Sequence, residues 1–315
     1  MAIIQGKYLR GSVGNYAFRK VGNRNIIQSK PVRGRVRQTE ATRESSAEFG
    51  LASTAGKMLR YAFEDLYGYE YDGRMMNRMV RTLTEVIRND HERPRGQREI
   101  AGGDISRLQG FEFNAATPLR NQWKLKPEVW MDEKGTVRIS FPSFDNIKDL
   151  RPYSSCSYCI IKAEVIAFDF KNGRYKSLGD KELRVTMKTG RQEATEWEFE
   201  SDVPEGCLLL AGFSLKYYRN NNGILEIVQD RLKHSSTEII GAFIRPERET
   251  PYEEPVQSIR ISKYETLSPD TGWMKVEFNS KAYDKLKERR QKQTRGKSPT
   301  KVNEKTTDKD GWTKM

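Results

Sequence analysis

Residues 156–170 read Cys-Ser-Tyr-Cys-Ile-Ile-Lys-Ala-Glu-Val-Ile-Ala-Phe-Asp-Phe, and Lys-Asn-Gly-Arg follows at 171–174. The run is rich in β-branched and aromatic residues, which favour strands. The Asn-Gly pair tolerates the positive φ angles that a tight turn needs. This stretch therefore predicts a long strand that ends in a hairpin turn.

Similar apolar runs surround this strand at regular spacing, and turn residues at 132–135 and 220–223 separate some of them. Such runs without intervening helical periodicity are typical of an antiparallel all-β domain. We expect an immunoglobulin-like β-sandwich over residues 104–245, with a closed barrel as the alternative. The further predicted strands are 110–114, 128–131, 136–141, 182–187, 195–201, 207–218, 224–230 and 238–245.

A helical pattern precedes the β-region and predicts an αα-hairpin over residues 39–103. Apolar residues recur at steps of three and four in two segments, which indicates two amphipathic helices. Asp72 is a candidate N-cap for the second helix, whose polar side carries several arginines. The first stripe comprises Phe49, Ala52, Ala55, Met58, Leu59, Ala62, Phe63 and Leu66, and the second comprises Met75, Met76, Met79, Val80, Leu83, Val86 and Ile87.

Residues 1–38 predict a basic β-hairpin arm and a linker. Strands are expected at 16–20 and 25–29 around a turn that contains Gly22 and Asn23. A two-stranded hairpin is marginal in water, so it is expected to pack on its own body or on another molecule. Its predicted packing residues are Tyr16, Phe18, Ile26 and Ile27.

Positive charge is concentrated at the two ends of the chain. The net charge is +13, but residues 1–43 hold ten basic side chains against one acid and residues 281–315 hold twelve against five. The middle is slightly acidic. We expect residues 246–280 to be a late hairpin or linker, and residues 281–315 to be a basic, disordered tail.

The basic residues of the arm are the candidate binding residues. Mixed with aromatic residues and glycines, they suit contacts to nucleic-acid phosphates, and equally an arm that adds a strand to a neighbouring subunit and pairs with an acidic surface. Solubilising tails without a partner are the third possibility. The candidates are Arg19, Lys20, Arg24, Arg33, Arg35 and Arg37.

No catalytic constellation is visible, so we predict no catalytic residues and no enzyme. His91 and His234 are the only histidines, and no phosphate-binding glycine loop or zinc-protease motif occurs. Cys156 and Cys159 have C-x-x-C spacing, and Cys207 with His234 could complete a four-ligand set. The distant second pair makes core or strand cysteines the favoured interpretation. No metal and no cofactor are predicted.

The N-terminal residues also resemble a known family. Gly-Ser-Val-Gly-Asn-Tyr-Ala-Phe-Arg-Lys-Val-Gly-Asn at 11–23, followed by Pro31, Thr39 and a helix start at 43–49, is similar to an uncharacterised family of Bacteroidota proteins. That family opens with a G-x-x-G-N arm and continues with a helical hairpin and a β-sandwich region. The resemblance is specific over residues 1–90 and implies a bacterial or bacteriophage origin. It implies no activity and no site residues.

These features predict a non-enzymatic structural or assembly protein that docks through its N-terminal arm into a homo- or hetero-oligomer. A phage or mobile-element virion component fits, as does a bacterial surface assembly. The alternative is a sequence-independent nucleic-acid-binding protein that uses its basic termini. The first residues carry no recognisable secretion signal, and no apolar run has membrane-spanning length, so we expect a location in a virion or the cytoplasm.

Overall fold

The structure is a computed structural model that describes residues 2–30, 38–151, 153, 156–228, 235–245, 259–260, 265–268 and 272–276. The chain divides into two compact units, Met1–Glu44 and Ser45–Met315. The predicted basic tail at 281–315 lies outside the described residues, as does most of the predicted late hairpin or linker at 246–280.

The first unit contains an antiparallel sheet, here called the N-terminal sheet, in which four strands pair in chain order. Two of them match the predicted arm strands, but the sequence interpretation missed the two strands that precede them. Gly6 and Gly14 adopt positive φ angles at the tight turns of this sheet, which lets the chain reverse twice before β3. The strands are β1 Ala2–Gln5, β2 Tyr8–Val13, β3 Tyr16–Val21 and β4 Arg24–Ser29.

The helices occur where the apolar stripes predict them. Gly56 lies inside the first long helix, where an added Cβ would touch Leu83 and Val80 at 3.5 Å, so this glycine marks a close helix contact. Phe49 and Met76 are exposed, unlike most members of the two stripes. The helices are α1 Glu40–Ala62, α2 Glu64–Tyr67, α3 Met75–Arg88 and α4 Leu119–Gln122, with a 3-10 turn at Ile105–Leu108.

Asp72 anchors the start of α3, although it is not the predicted N-cap, because the helix begins at Met75, two residues later than a capping Asp72 would require, and Arg74 is the N-cap. Its Oδ1 accepts a hydrogen bond from the Arg74 backbone N–H at 2.8 Å, and its other oxygen accepts one from Ala115 N–H at 3.0 Å. Arg78 forms an ion pair with the same carboxylate. Asp72 therefore ties α3 to the segment that follows β5 (Phe111–Glu112).

The remaining strands form antiparallel sheets, which confirms the prediction of a mainly β fold. They are β6 Glu128–Met131, β7 Val137–Phe141, β8 Phe144–Asp145, β9 Tyr158–Asp169, β10 Arg174–Thr186, β11 Arg191–Gln192, β12 Thr195–Phe199, β13 Leu208–Asn221, β14 Ile224–Ile227, β15 Ser235–Ile244, β16 Ile259–Arg260, β17 Glu265–Ser268 and β18 Trp273–Val276. The turn at 171–174 joins β9 to β10. The observed β10 begins at Arg174, eight residues before the strand predicted at 182–187.

The largest sheet, here called the central sheet, has the order β16-β17-β18-β10-β9-β13-β15-β5, with β14 paired to β13. A three-stranded sheet, β12-β7-β6, and the pair β11-β8 are separate. The antiparallel sheets agree with the predicted fold class. The immunoglobulin-like sandwich stays a prediction.

The central sheet is buried on both faces. Val165 and Ala167 of β9 belong to one apolar core together with β7 and β12, whereas Ile166 and Phe168 belong to a second core together with α1, α2 and α3. Successive residues of a strand point to opposite faces, so the helices cover one face and the three-stranded sheet the other. The uninterrupted apolar run at 165–168 follows from this two-sided burial.

Candidate functional site

One face of the N-terminal sheet is mainly apolar. In the register of β2, β3 and β4, Val13 lies opposite Tyr16 and Phe18 lies opposite Ile27, which places these four on one face. Ile26 lies opposite Arg19 on the other face, so the predicted packing residues do not all share a surface. None of the described residues of this sheet is buried, and Ile27 is 64% exposed.

The predicted binding residues of the arm are only partly brought together. Arg19 and Arg24 lie on the same face as Ile26 and are exposed. Lys20 lies on the apolar face, with its ammonium 4.0 Å from the centroid of the Tyr8 ring. Arg33, Arg35 and Arg37 lie outside the described residues.

The three cysteines are buried or half-buried thiols without a disulfide. Burial raises the pKa of Cys156 and Cys159, and it raises the pKa of Cys207 to about 12. Protonated thiols are poor nucleophiles and poor metal ligands, so this packing supports their interpretation as core residues. His234, the fourth member of the ligand set that the sequence allows, lies outside the described residues.

The alternating glutamates of β12 form its solvent face. Glu196 and Glu198 both lie within ion-pair distance of Arg138, at 3.3 and 3.1 Å, whereas Trp197 and Phe199 are buried. This is the alternation of a strand with one solvent face and one buried face, and it needs no catalytic explanation. His91 is exposed on the loop that follows α3.

A cleft of about 750 Å³ opens in the second unit, among α3, the 3-10 turn, β5, the α4 segment and β15. Its volume lies in the range of small-molecule sites. Apolar side chains such as Phe111, Leu119 and Trp123 line part of it. It also contains six cationic side chains, namely Arg78, Arg81, Arg107, Arg120, Lys124 and Lys126.

Two glutamates lie side by side in this cleft. Glu112 of β5 and Glu238 of β15 are direct neighbours in the strand register. Burial, followed by the charge of Glu238 and a hydrogen bond between the two carboxyl groups, raises the pKa of Glu112 to about 9. The Leu119 backbone N–H donates to Glu112 Oε1 at 2.8 Å and opposes this rise. At neutral pH Glu112 therefore keeps its proton beside Glu238.

Arg78 positions the acidic pair from α3. Its Nη1 donates to the backbone carbonyl of Glu112 at 2.7 Å, and its guanidinium lies 5.1 Å from the centroid of the Phe111 ring. The ion pair with Asp72 holds the other end of the guanidinium. The β5 strand is thereby fixed against α3 at the residue that carries the raised pKa.

Sequence reasoning missed the whole cleft. Glu112 and Glu238 are separated by most of the β-region, and only the pairing of β5 with β15 brings them together. Arg78 and Arg81 are the exception, because both are among the arginines on the predicted polar side of the second helix. No local motif distinguishes Glu238 from an ordinary polar residue on the solvent face of a strand.

Comparison with known proteins finds no matching family model, no similar curated protein and no similar solved structure. No helix within the described ranges is long and apolar enough to cross a membrane. Among the residues that the structure describes, no group of three or more His, Cys, Asp or Glu side chains is arranged to hold a metal ion.

Proposed function

We propose that the chain is a non-enzymatic structural or assembly protein whose N-terminal sheet packs against the same sheet of a second copy. The observation that carries this proposal is a four-stranded sheet with an apolar face and no buried residue among those described. An apolar sheet face gains stability when another layer removes it from water. A second N-terminal sheet is the layer that fits.

Charge favours a copy of the chain over a polyanion on this face. Val13, Tyr16, Phe18 and Ile27 share the face with a single cation of their strands, Lys20, and the two arginines of β3 and β4 lie on the other side. Two apolar faces can meet across a two-fold axis without bringing those arginines together. The product is a two-layer β-sandwich made from two chains.

Paired sheets of this kind suit a protein that is used in many copies. A virion component of a phage or mobile element is the setting that we propose, with a bacterial surface assembly as its variant. The immunoglobulin-like arrangement of residues 104–245 and the helical hairpin of residues 39–103 belong to the same proposal. The packing of apolar residues from the three-stranded sheet and the central sheet into one core supports its two-sheet part.

A second candidate is sequence-independent binding of nucleic acid by the cationic face of the N-terminal sheet. Arg19 and Arg24 are exposed and make no ion pair with any described residue, so both can contact phosphate. Phosphate contacts weaken steeply as salt rises, whereas apolar packing does not. Salt therefore separates the two candidates.

The test is the solution mass of the nuclease-treated full chain by analytical ultracentrifugation, at 0.1 and 1 M salt. We expect twice 36.5 kDa or a multiple of it at both salt concentrations. Ile27→Lys, on the apolar face, should yield monomers because a charge would be buried in the interface. Val21→Lys is the matched control, since Val21 is 50% exposed and lies on the opposite face.

Two results would overturn the assembly proposal. The first is a wild-type monomer at both salt concentrations. The second is a change of mass that is equal for Ile27→Lys and Val21→Lys. A monomer that carries nucleic acid at 0.1 M salt and releases it at 1 M would establish the second candidate instead.

A further inference from the structure

The cations of the cleft beside α3 fall into two groups, those that form an ion pair with an acidic side chain and those that do not. Arg81 pairs with Glu85 at 3.0 Å, and Arg107 pairs with Asp104 at 3.0 Å. Arg120, Lys124 and Lys126, by contrast, make no ion pair with any residue that the structure describes, and all three are exposed. Three unpaired cations within seven positions of the chain line one cleft, which favours an anion of more than one charge.

Polar atoms without partners lie on the residues that line the same cleft. Nε of Arg78 and Nε1 of Trp123 are buried and have no hydrogen-bond acceptor among the described residues. Oε2 of Glu112 also lacks a donor unless the pair with Glu238 holds a proton. A buried polar group without a partner costs free energy, and these atoms lie beneath the surface of the cleft, so a ligand supplies the missing bonds only where the lining side chains shift.

The acidic pair gives the cleft a second kind of recognition. With Glu112 protonated, the pair offers both a donor and acceptors to a hydroxyl or amino group. Apolar side chains of the same cleft, Phe111, Leu119 and Trp123, can cover the body of a ligand. The cations, the acidic pair and the apolar lining together suit a molecule that carries a phosphate, hydrogen-bonding groups and an apolar body.

We propose that this cleft binds a phosphate-bearing small molecule of about nucleotide size, with the phosphate at Arg120, Lys124 and Lys126 and a hydroxyl or amino group at Glu112 and Glu238. The cleft volume of about 750 Å³ accommodates a ligand of that size. The site lies wholly in the second unit and is independent of the N-terminal sheet.

Isothermal titration of the full chain with AMP, adenosine and inorganic phosphate tests the site. We expect AMP to bind with a Kd below about 1 mM and at least tenfold more tightly than adenosine. Arg120→Gln with Lys124→Gln should weaken AMP binding at least tenfold. Lys134→Gln with Lys188→Gln removes the same charge from exposed positions outside the cleft and should leave the affinity unchanged.

Glu238→Ala separates the contribution of the acidic pair from that of the cations, because alanine keeps neither a donor nor an acceptor at this position. It should weaken AMP binding while leaving inorganic phosphate binding unchanged, and a thermal melt by tryptophan fluorescence verifies that the variant folds. Absence of AMP binding at millimolar concentration would overturn the proposal. Equal losses in the two double variants, or binding of oligothymidylate without AMP, would do the same.

Discussion

The central strands β9 and β13 and the N-terminal strands β1–β4 are all antiparallel β-structure, but they differ in what covers them. In β13, Leu208 and Leu209 point into two different cores and both are fully buried. In the N-terminal sheet, Ile4 is 76% exposed and Ile27 is 64% exposed. Large apolar side chains are therefore buried within the chain in the central sheet, whereas in the N-terminal sheet they are exposed.

The comparison teaches where each sheet obtains its stability. A side chain that is removed from water contributes about 1.5–3 kcal/mol, whereas an exposed one contributes little. The central sheet receives this contribution from its own helices and its own second sheet. On the assembly proposal, the N-terminal sheet would receive it from a second copy of the chain, which is the physical basis of that proposal.

The largest expected difference between the two sheets is the effect of truncating a side chain. Leu209→Ala should lower the free energy of unfolding by about 2–5 kcal/mol, because it leaves a cavity in a core. Ile27→Ala should change it by less than about 0.5 kcal/mol in the monomer. Urea denaturation followed by far-ultraviolet circular dichroism measures both units, whereas tryptophan fluorescence would report the second unit alone, because residues 1–44 contain no tryptophan. Similar effects of the two variants would contradict the comparison.

The sequence predicts the strands well because their signal is local. The runs predicted at 128–131 and 136–141 and the turn at 171–174 combine β-favouring residues with turn residues, and each falls within one residue of where the structure has it. The burial of both faces of the central sheet could also be predicted locally. Val-Ile-Ala-Phe at 165–168 lacks the alternation of apolar and polar residues that a strand with one buried face shows. The expected two-layer β-sandwich contains no helical layer, so it offered no sheet face for the predicted helices to cover.

The rest could not be predicted because it depends on register and on contacts between distant segments. Glu112 and Glu238 become neighbours only through the pairing of β5 with β15. Arg19 and Arg24 were recognised by charge, but whether they share a face with Phe18 depends on the strand register. The two strands that precede β3 carry no strong turn motif at Gly6-Lys7.

A smaller effect is expected from the contact between the helices and the central sheet. Gly212 of β13 has no Cβ, and an added one would lie 2.5 Å from Leu66 and 2.7 Å from Phe63. Gly212→Ala should therefore lower stability by about 1–3 kcal/mol through overpacking. Gly50→Ala in α1 is the control, because an added Cβ meets no atom within 4 Å there and alanine favours a helix by about 0.5–1 kcal/mol. Equal midpoints for the two variants in urea would show that α2 does not pack on β13 in this way.

The smallest expected effect concerns the edge of the central sheet, where β5 is held by an acidic pair. The raised pKa of Glu112, about 9 against an ordinary 4.5, means that the folded chain keeps a proton that the unfolded chain releases. Stability should therefore be fully present below about pH 4.5 and fall as the pH rises towards 9. Glu112→Gln replaces that proton by a permanent amide donor to Glu238, so it should match the wild type at pH 4.5 and exceed it by about 1 kcal/mol at pH 9 after allowance for partial exposure.

Urea midpoints at pH 4.5, 7 and 9 measure this gap, with the exposed Glu133→Gln as the control for loss of one carboxylate. Titration of every other group affects the wild type and both variants alike, so only the difference between Glu112→Gln and Glu133→Gln reports the pair. A gap that stays constant from pH 4.5 to pH 9 would mean that Glu112 does not keep its proton beside Glu238. The stability of the central sheet at this edge would then not depend on the protonation of its acidic side chains.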